Sequence, residues 1–582
     1  MPAPAPQKPD LVGRRFVVAL LRLARIYWAS PDGKRGALLL ALTVALELAT
    51  VYANLQLADA ERRLLDALEQ KQAAPFFAAT GVFLAIMLGF VLVSTYRIFV
   101  RQTLEIRWRR GLTGHFIERW ISSQAFCQAK LHGGEVDNPD QRIAEDVRDF
   151  VASALGLSLS LLAALAALLS FGGLLWTLSR HFTYDVGDSV LRLPGILLWV
   201  ALAYAAISTW LTHLVGRRLV PINFDRLRFE ADFRYGLVRF RDNVESVALS
   251  RGEPLERLGA LMRFHNVIRN WWQLIRAQRN LSLLTTGIGQ SNNLVPLLMA
   301  APAYIAGHLT LGSVAQVRFA YGQVSSALTW FVNAYQELAR WTANIERLVS
   351  LSEVMDATAA DLARAGLYVV PAETPELRLA DLQLEAPDGS LLLEHANATA
   401  KPGERVAITG PSGSGKTILL RAVAGIWPFG AGRIEVPAGA RVLFVPQQAY
   451  LPLGSLRSVV SYPSAAGFPD ERVREALRAL GLAHLEAKLD AVEPWDQQLS
   501  GSEQQRLALA RVLLNEPDWV FLDKATSELD ESMEKRVYEL LAERLPRSTI
   551  ISVAHRPSLL PYHNRRWQLS PHDHGPASLK AA

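Results

Sequence analysis

Long apolar runs fill the first half of the chain and short ones the second, so the pattern by itself predicts two kinds of structure. Six stretches, 37–57, 76–100, 152–178, 195–215, 282–306 and 314–339, are long enough to cross a bilayer as helices, which takes roughly 20 residues. Ahead of them, residues 16–29 interleave Val17, Leu20, Leu21, Leu23 and Ile26 with Arg15, Arg22 and Arg25. This is the pattern of a basic amphipathic helix on an anionic membrane face. An ordinary soluble helix competes, but a span follows within a few residues and favours the interface.

The connections between the runs are unequal. Segments 102–151 and 216–281 are long, helical in periodicity and dense in arginine, whereas 58–75 and 179–194 are short and carry both signs. The arginine excess predicts that the N-terminus and both long connections face the cytoplasm. An even number of spans then returns the chain to that side for its second half.

Polar residues inside the spans add chemistry. Glu47 lies mid-span in the first run. The fifth carries Gln290-Ser291-Asn292-Asn293, then Pro296 and Pro302, and the sixth carries Arg318, Gln323, Ser325, Ser326, Asn333 and Glu337. Such groups are costly against lipid, so they line a polar cavity or hydrogen-bond helix to helix. Grouped as they are, the Gln-Ser-Asn-Asn cluster and Glu47 favour the cavity.

The predicted organisation is a tail and interfacial helix at 1–30, a membrane domain at 31–351, an Ala-, Asp- and Pro-rich linker at 352–375, a soluble domain at 376–575 and a loose tail at 576–582. The first ten residues lack the apolar core of a signal peptide. Composition agrees with the division: 50% of residues are hydrophobic, yet 20% are charged. The net charge of +6 is modest and its arginines flank apolar runs, which indicates topology rather than nucleic-acid binding. One cysteine, Cys127, excludes an intrachain disulfide and any Cys-based zinc site.

The soluble half carries a short β-branched run, Val406-Ala407-Ile408-Thr409, then Gly410-Pro411-Ser412-Gly413-Ser414-Gly415-Lys416-Thr417, then the apolar helical pattern of Ile418, Leu419, Leu420 and Val423. Strand, glycine loop and helix in that order are the context a P-loop requires. Glycines let backbone N–H groups curl around phosphate, and the helix N-terminus adds its dipole. Lys416 would reach the β- and γ-phosphates and Thr417 would bind Mg²⁺. Downstream, Trp519-Val520-Phe521-Leu522-Asp523 is an apolar strand ending in a carboxylate that would hold Mg²⁺ through water. Between them, Ser500 and Glu503 in Leu499-Ser500-Gly501-Ser502-Glu503 form a capping box that opens a helix at 504–514, a second anion site.

That segment resembles the signature of ABC transporters, in which ATP is sandwiched between one subunit's P-loop and the other's signature. Gln447 in Phe444-Val445-Pro446-Gln447 matches the Q-loop, Ser527-Glu528-Leu529-Asp530 the D-loop, and His555 in Val553-Ala554-His555-Arg556 the switch histidine. Gly425-Ile426-Trp427-Pro428, Pro452-Leu453-Gly454-Ser455-Leu456-Arg457 and Trp495, with Asp137 to Asp146 and Glu230 to Tyr235 in the membrane half, are similar to the branch holding peroxisomal fatty-acyl and bacterial BacA/SbmA-like transporters. The resemblance implies an all-α six-helix transmembrane domain fused to an α/β P-loop ATP-binding cassette. It also implies a homodimer in the bacterial inner membrane, with N-terminus and cassette cytoplasmic and Mg²⁺-ATP as cofactor. In that family Gly410, Ser412, Gly413, Gly415, Lys416, Thr417, Ser500, Gly501, Ser502 and Asp530 would contact nucleotide, while Thr417, Gln447 and Asp523 would serve the metal. Its members take up hydrophilic cargo such as peptides, cobalamin or bleomycin-like compounds, or move acyl groups; the polar spans favour the hydrophilic class.

Three positions depart from the family pattern. Ser502 replaces a glycine but keeps its N–H. Ala386 stands where an adenine-stacking aromatic is common. Lys524 follows Asp523 where the family has its catalytic glutamate. A lysine is protonated at neutral pH and cannot accept a proton from water, though it can attract the γ-phosphate. Lys524, Gln447 and His555 are therefore the groups around the expected reaction. Three readings stay open: an ATP-driven transporter; a proton-coupled carrier, with Glu47 carrying the proton and the cassette as regulator; and a non-transporting ATP-binding scaffold, which the polar spans disfavour.

Overall fold

The computed structural model describes residues 14–122, 138–179, 184–186, 189–191, 194–364, 366–554, 556–572 and 575–581. The chain divides into two units, Met1–Phe116 with Asp140–Ser350, and Ile117–Pro139 with Leu351–Ala582.

The first unit is helical. Helix α1 (Arg14–Trp28) matches the amphipathic segment; it is followed by α2 (Gly33–Glu69) and α3 (Ala73–Ser122). A π-turn at Arg142–Asp146 leads into α4 (Val147–Leu178), a short antiparallel pair β1 (Tyr184–Val186) and β2 (Ser189–Leu191) comes next, and α5 (Ile196–Gly216), α6 (Leu219–Asp242) and α7 (Glu253–Ile305) follow. Among the described residues, four helices (α2, α3, α4 with its lead-in, and α5) are long and apolar enough to cross a membrane. The fifth predicted span is the C-terminal part of α7, whose Gln290 to Asn293 cluster lowers its apolarity. With 50 residues α3 is about 75 Å long, more than twice a hydrocarbon core, so it projects well beyond the bilayer.

The sixth predicted span, 314–339, is two helices, α8 (Leu311–Leu328) and α9 (Trp330–Arg364). The break falls at Thr329, whose hydroxyl donates to the carbonyls of Ser325 (3.0 Å) and Ser326 (3.1 Å), a back-bond that bends helices. The predicted linker is also corrected. Helix α9 runs on to Arg364, with Met355 and Thr358 buried, and a strand begins at Gly366. The alanines taken as linker composition are good helix formers.

The second unit is built on a sheet of ten strands among the described residues: β3 (Gly366–Ala372), β4 (Leu377–Glu385), β5 (Leu391–Ala400), β6 (Arg405–Thr409), β7 (Gly430–Pro437), β8 (Val442–Val445), β9 (Trp519–Leu522), β10 (Thr549–Val553), β11 (Arg565–His572) and β12 (Gly575–Ala581). Their spatial order is β3-β7-β4-β5-β12-β11-β6-β10-β9-β8. Parallel pairing joins β6 to β10, β10 to β9 and β9 to β8, and helices on both faces bury these strands, as their continuous apolar sequences require. The expected loose tail is instead β12, inserted between β11 and β5 with Leu569 opposite Leu579 and Ala577 buried. Alternation of Ala577 and Leu579 was its signal, masked by the flanking Gly, Pro and His.

Candidate functional site

Strands β6, β8, β9 and β10 run the same way side by side, so whatever follows each strand gathers at one carboxyl edge, where ligands bind in α/β sheets. The glycine loop follows β6, Gln447 follows β8 and Asp523 follows β9. Position 555 follows β10 but lies outside the described residues, so the switch histidine has no placement here.

The loop takes its shape from glycine. Gly410 (φ 149°), Gly413 (φ 83°) and Gly415 (φ 87°) occupy conformations that L side chains rarely adopt, and a Cβ at Gly410 would sit 2.4 Å from the Leu569 carbonyl oxygen. Helix α10 (Lys416–Val423) starts at once. Lys416 Nζ lies within the loop it serves, donating to the carbonyls of Gly410 (2.8 Å) and Pro411 (2.6 Å). Burial pushes the Lys416 ammonium below the ordinary lysine range, the Lys524 cation pushes it further and Asp523 opposes both. Lys524 therefore stands within electrostatic reach of the phosphate loop. It has a left-handed backbone (φ 51°) in the turn after β9.

Thr417 Oγ1 donates to Asp523 Oδ1 at 3.1 Å, so the hydroxyl and carboxylate expected to serve one Mg²⁺ are adjacent. Among the described residues there is no cluster of three or more His, Cys, Asp or Glu. Mg²⁺ needs none, since it keeps several waters and takes substrate phosphates as ligands. The residues present thus fit the ion.

A cleft of about 780 Å³ is lined by Thr417, Asp523, Gln447, Gly501, Gln504 and Glu528, among others. It brings the metal pair, the Q-loop and the first residue of the signature helix α11 (Gly501–Asn515) together. Ser500 and Ser502 are not among its lining residues. Ser500 caps α11: its Oγ accepts from the Glu503 N–H at 3.4 Å, and Glu503 Oε2 accepts from the Ser500 N–H at 3.0 Å. Asp530 caps α12 (Glu531–Arg544), with Oδ1 accepting from the Met533 N–H at 2.8 Å and from the Ser532 hydroxyl at 2.6 Å. Those bonds hold its carboxyl below the usual range.

Two connecting residues escaped the sequence reading. Buried Gln505 donates to the Gln447 carbonyl (3.0 Å) and the Ser527 hydroxyl (3.1 Å) and accepts from the Glu528 N–H (2.9 Å), tying α11 to the loops after β8 and β9. Buried Glu534 accepts from Thr526 Oγ1 (2.6 Å) and Arg556 Nη1 (3.0 Å), joining the loop after β9 to the one after β10. A polar residue on the buried face of a helix is the only signal for either, and it names no partner.

In the first unit three of the five polar residues read as cavity lining, Glu47, Ser291 and Asn292, are bonded between helices. Glu47 Oε2 accepts from Arg97 Nη1 at 2.8 Å, joining α2 to α3. Ser291 Oγ lies 2.7 Å from the Tyr204 hydroxyl, joining α7 to α5, and Asn292 Oδ1 accepts from Ser325 Oγ at 3.0 Å, joining α7 to α8. For these residues the helix-to-helix alternative is what the geometry shows.

Comparison with known proteins gives the same two parts. Residues 23–305 match the family model described as ABC transporter transmembrane region 2, and residues 393–527 match the model described as ABC transporter. An uncharacterized ABC transporter ATP-binding protein of Synechocystis is 37% identical, over 88% of this chain and 78% of its own length. The inner membrane ABC transporter ATP-binding protein YddA of Escherichia coli is 31% identical, over 94% and 96%. The human lysosomal cobalamin transporter ABCD4 is 26% identical over 98% of both chains.

Proposed function

The chain belongs to the ABC transporter family, with a membrane region and an ATP-binding domain, and on that premise we propose that it is an ATP-driven homodimeric importer of hydrophilic compounds in which Lys524 makes ATP binding tight and turnover slow. The observation that carries this reading is the grouping of Lys416, Lys524, Thr417 and Asp523 at one edge of the sheet. Mg²⁺, when bound, would draw charge from the phosphate oxygens. Lys416 would hold the β- and γ-phosphates, Thr417 and Asp523 would hold the ion, and Lys524 would attract the γ-phosphate without supplying a base for water. A second copy would supply the signature turn, since one chain carries one P-loop and one signature. The printed name of one relative supports a bacterial inner-membrane setting, and the arginine-rich connections support a cytoplasmic cassette. Peptides or cobalamin are the cargo classes that follow, the latter from the printed name of one relative.

The proton-coupled alternative draws no support from Glu47, whose carboxylate Arg97 already neutralises. ATP turnover in liposomes, with and without a proton gradient, tests the reading: it requires turnover independent of the gradient. Lys524→Glu should raise turnover at least about tenfold, because general-base assistance is typically worth about 10²–10⁴-fold, and should weaken ATP binding. Brisk hydrolysis by the parent with no gain in the variant would overturn the role given to Lys524.

A further inference from the structure

Hydrolysis needs a group that takes a proton from water, and the Lys524 ammonium does not supply one. Among the residues lining the nucleotide cleft, the carboxylates are Asp523 and Glu528. The other polar side chains there are hydroxyl, amide or guanidinium groups, none of which accepts a proton from water at neutral pH. Asp523 Oδ1 already accepts from Thr417 and stands where the ion would bind. Glu528 is left.

Its surroundings fix where it stands. The Glu528 N–H donates to Gln505 Oε1 at 2.9 Å, and the N–H of buried Leu529 donates to the Thr526 carbonyl at 3.1 Å. The backbone at 528 is thus held on both sides. Its carboxylate forms no hydrogen bond or ion pair among the described residues and stays open to water, as a base for water must. Glu528 Oε2 lies 3.6 Å from the place a Cβ would take on Gly501, the first residue of the signature helix α11. Glu528 therefore belongs with the signature turn rather than with the metal pair. In the dimer proposed above, that turn meets the γ-phosphate of the ATP held by the other copy.

On the reading of the chain as an ATP-driven homodimer, we propose that Glu528 is the general base for hydrolysis, acting across the dimer on the nucleotide in the other copy's P-loop. Glu528 takes one proton from the attacking water as the water oxygen bonds to the γ-phosphorus. The bond from that phosphorus to the bridging oxygen breaks, its electron pair leaves with ADP, and the proton passes from the carboxyl to solvent. Attraction and proton removal are then divided between two chains: Lys524 of the copy that holds the ATP draws the γ-phosphate, and Glu528 of the other copy activates the water.

The test uses the full chain in nanodiscs, with Lys416→Ala as the background for turnover. Glu528→Gln should lose at least about tenfold in turnover with its melting temperature unchanged, since the side chain has no bond to lose. It should also bind a fluorescent ATP analogue more tightly and the ADP analogue as before, because a negative charge near the γ-phosphate is gone. In a Lys524→Glu background the same substitution should cost little, a base then standing at 524. Mixed dimers place the base. With Lys416→Ala on one copy and Glu528→Gln on the other, the working P-loop faces an intact Glu528 and turnover should persist. With both substitutions on one copy, turnover should fall at least about tenfold. Full turnover in the Glu528→Gln homodimer would overturn the proposal in favour of His555 and leave the ATP-driven reading standing. Equal or reversed rates in the two mixed dimers would overturn action across the dimer. A parent with no turnover above the Lys416→Ala background would instead remove the ATP-driven reading itself.

Discussion

The two helix starts expected to hold phosphate, at Lys416 and at Gly501, are built in opposite ways. The P-loop is made by backbone: Gly410, Gly413 and Gly415 turn the chain through conformations closed to other residues, and the Lys416 side chain fills what they enclose. The signature turn is made by side chains: Ser500 and Glu503 satisfy each other's backbone N–H groups, and Gly501 has an ordinary backbone with the Glu528 side chain 3.5 Å from where a Cβ would lie. The first should fail abruptly when its steric requirement is broken, and the second should weaken by degrees.

The largest effect is expected at Gly410→Ala. Its Cβ would meet a carbonyl oxygen that belongs to β11 and cannot move aside, so about 2–3 kcal/mol of strain enters the loop and ATP affinity should drop roughly hundredfold. Gly413→Ala meets no atom within 4 Å and carries only the left-handed penalty of about 1–2 kcal/mol. Titration of a fluorescent ATP analogue ranks the two, and equal losses would break the steric argument.

Lys416→Ala should cost about 1.5–3 kcal/mol of nucleotide affinity, the worth of a hydrogen bond to a charged group, while thermal stability of the unliganded protein changes less. Unchanged affinity would mean that Lys524 alone attracts the phosphates. A smaller loss is expected at the signature. Ser500→Ala should destabilise the cassette by about 1 kcal/mol, and Ser500→Asp should recover most of it, because aspartate caps equally well. Urea unfolding followed in the cassette reads both. Smallest is the acid dependence of the same turn. The Ser500 hydroxyl and N–H hold the Glu503 carboxyl below the usual range. A depressed carboxyl contributes stability that is present above its unfolded pKa, about 4.3, and is lost as pH falls through the folded value. Glu503→Gln should therefore flatten the stability profile below about pH 4.3, and an unchanged profile would remove this contribution.

Motif residues were legible because phosphate chemistry fixes their type and spacing locally. Strand, glycine loop and helix at 406–423, the capping box at 500–503 and the apolar strand ending in Asp523 all depend on neighbours a few residues away. So did the long apolar runs, since a bilayer asks only for length and hydrophobicity. Two predicted boundaries failed because composition near 352–375 and 576–582 was read without partners, and a strand such as β12 exists only because β11 and β5 receive it.

Partnership is what tertiary structure decided. The sequence placed Glu47, Ser291 and Asn292 in spans but could not say whether they face a cavity or one another; Arg97, Tyr204 and Ser325 answer that from 50, 87 and 33 residues away. Gln505 and Glu534 likewise became connections between loops when parallel strands brought those loops to one edge. The physical reason is common to all of them. A charge or an amide has the same sequence signature whether water, a partner or a ligand satisfies it, and only the fold determines which of these it meets.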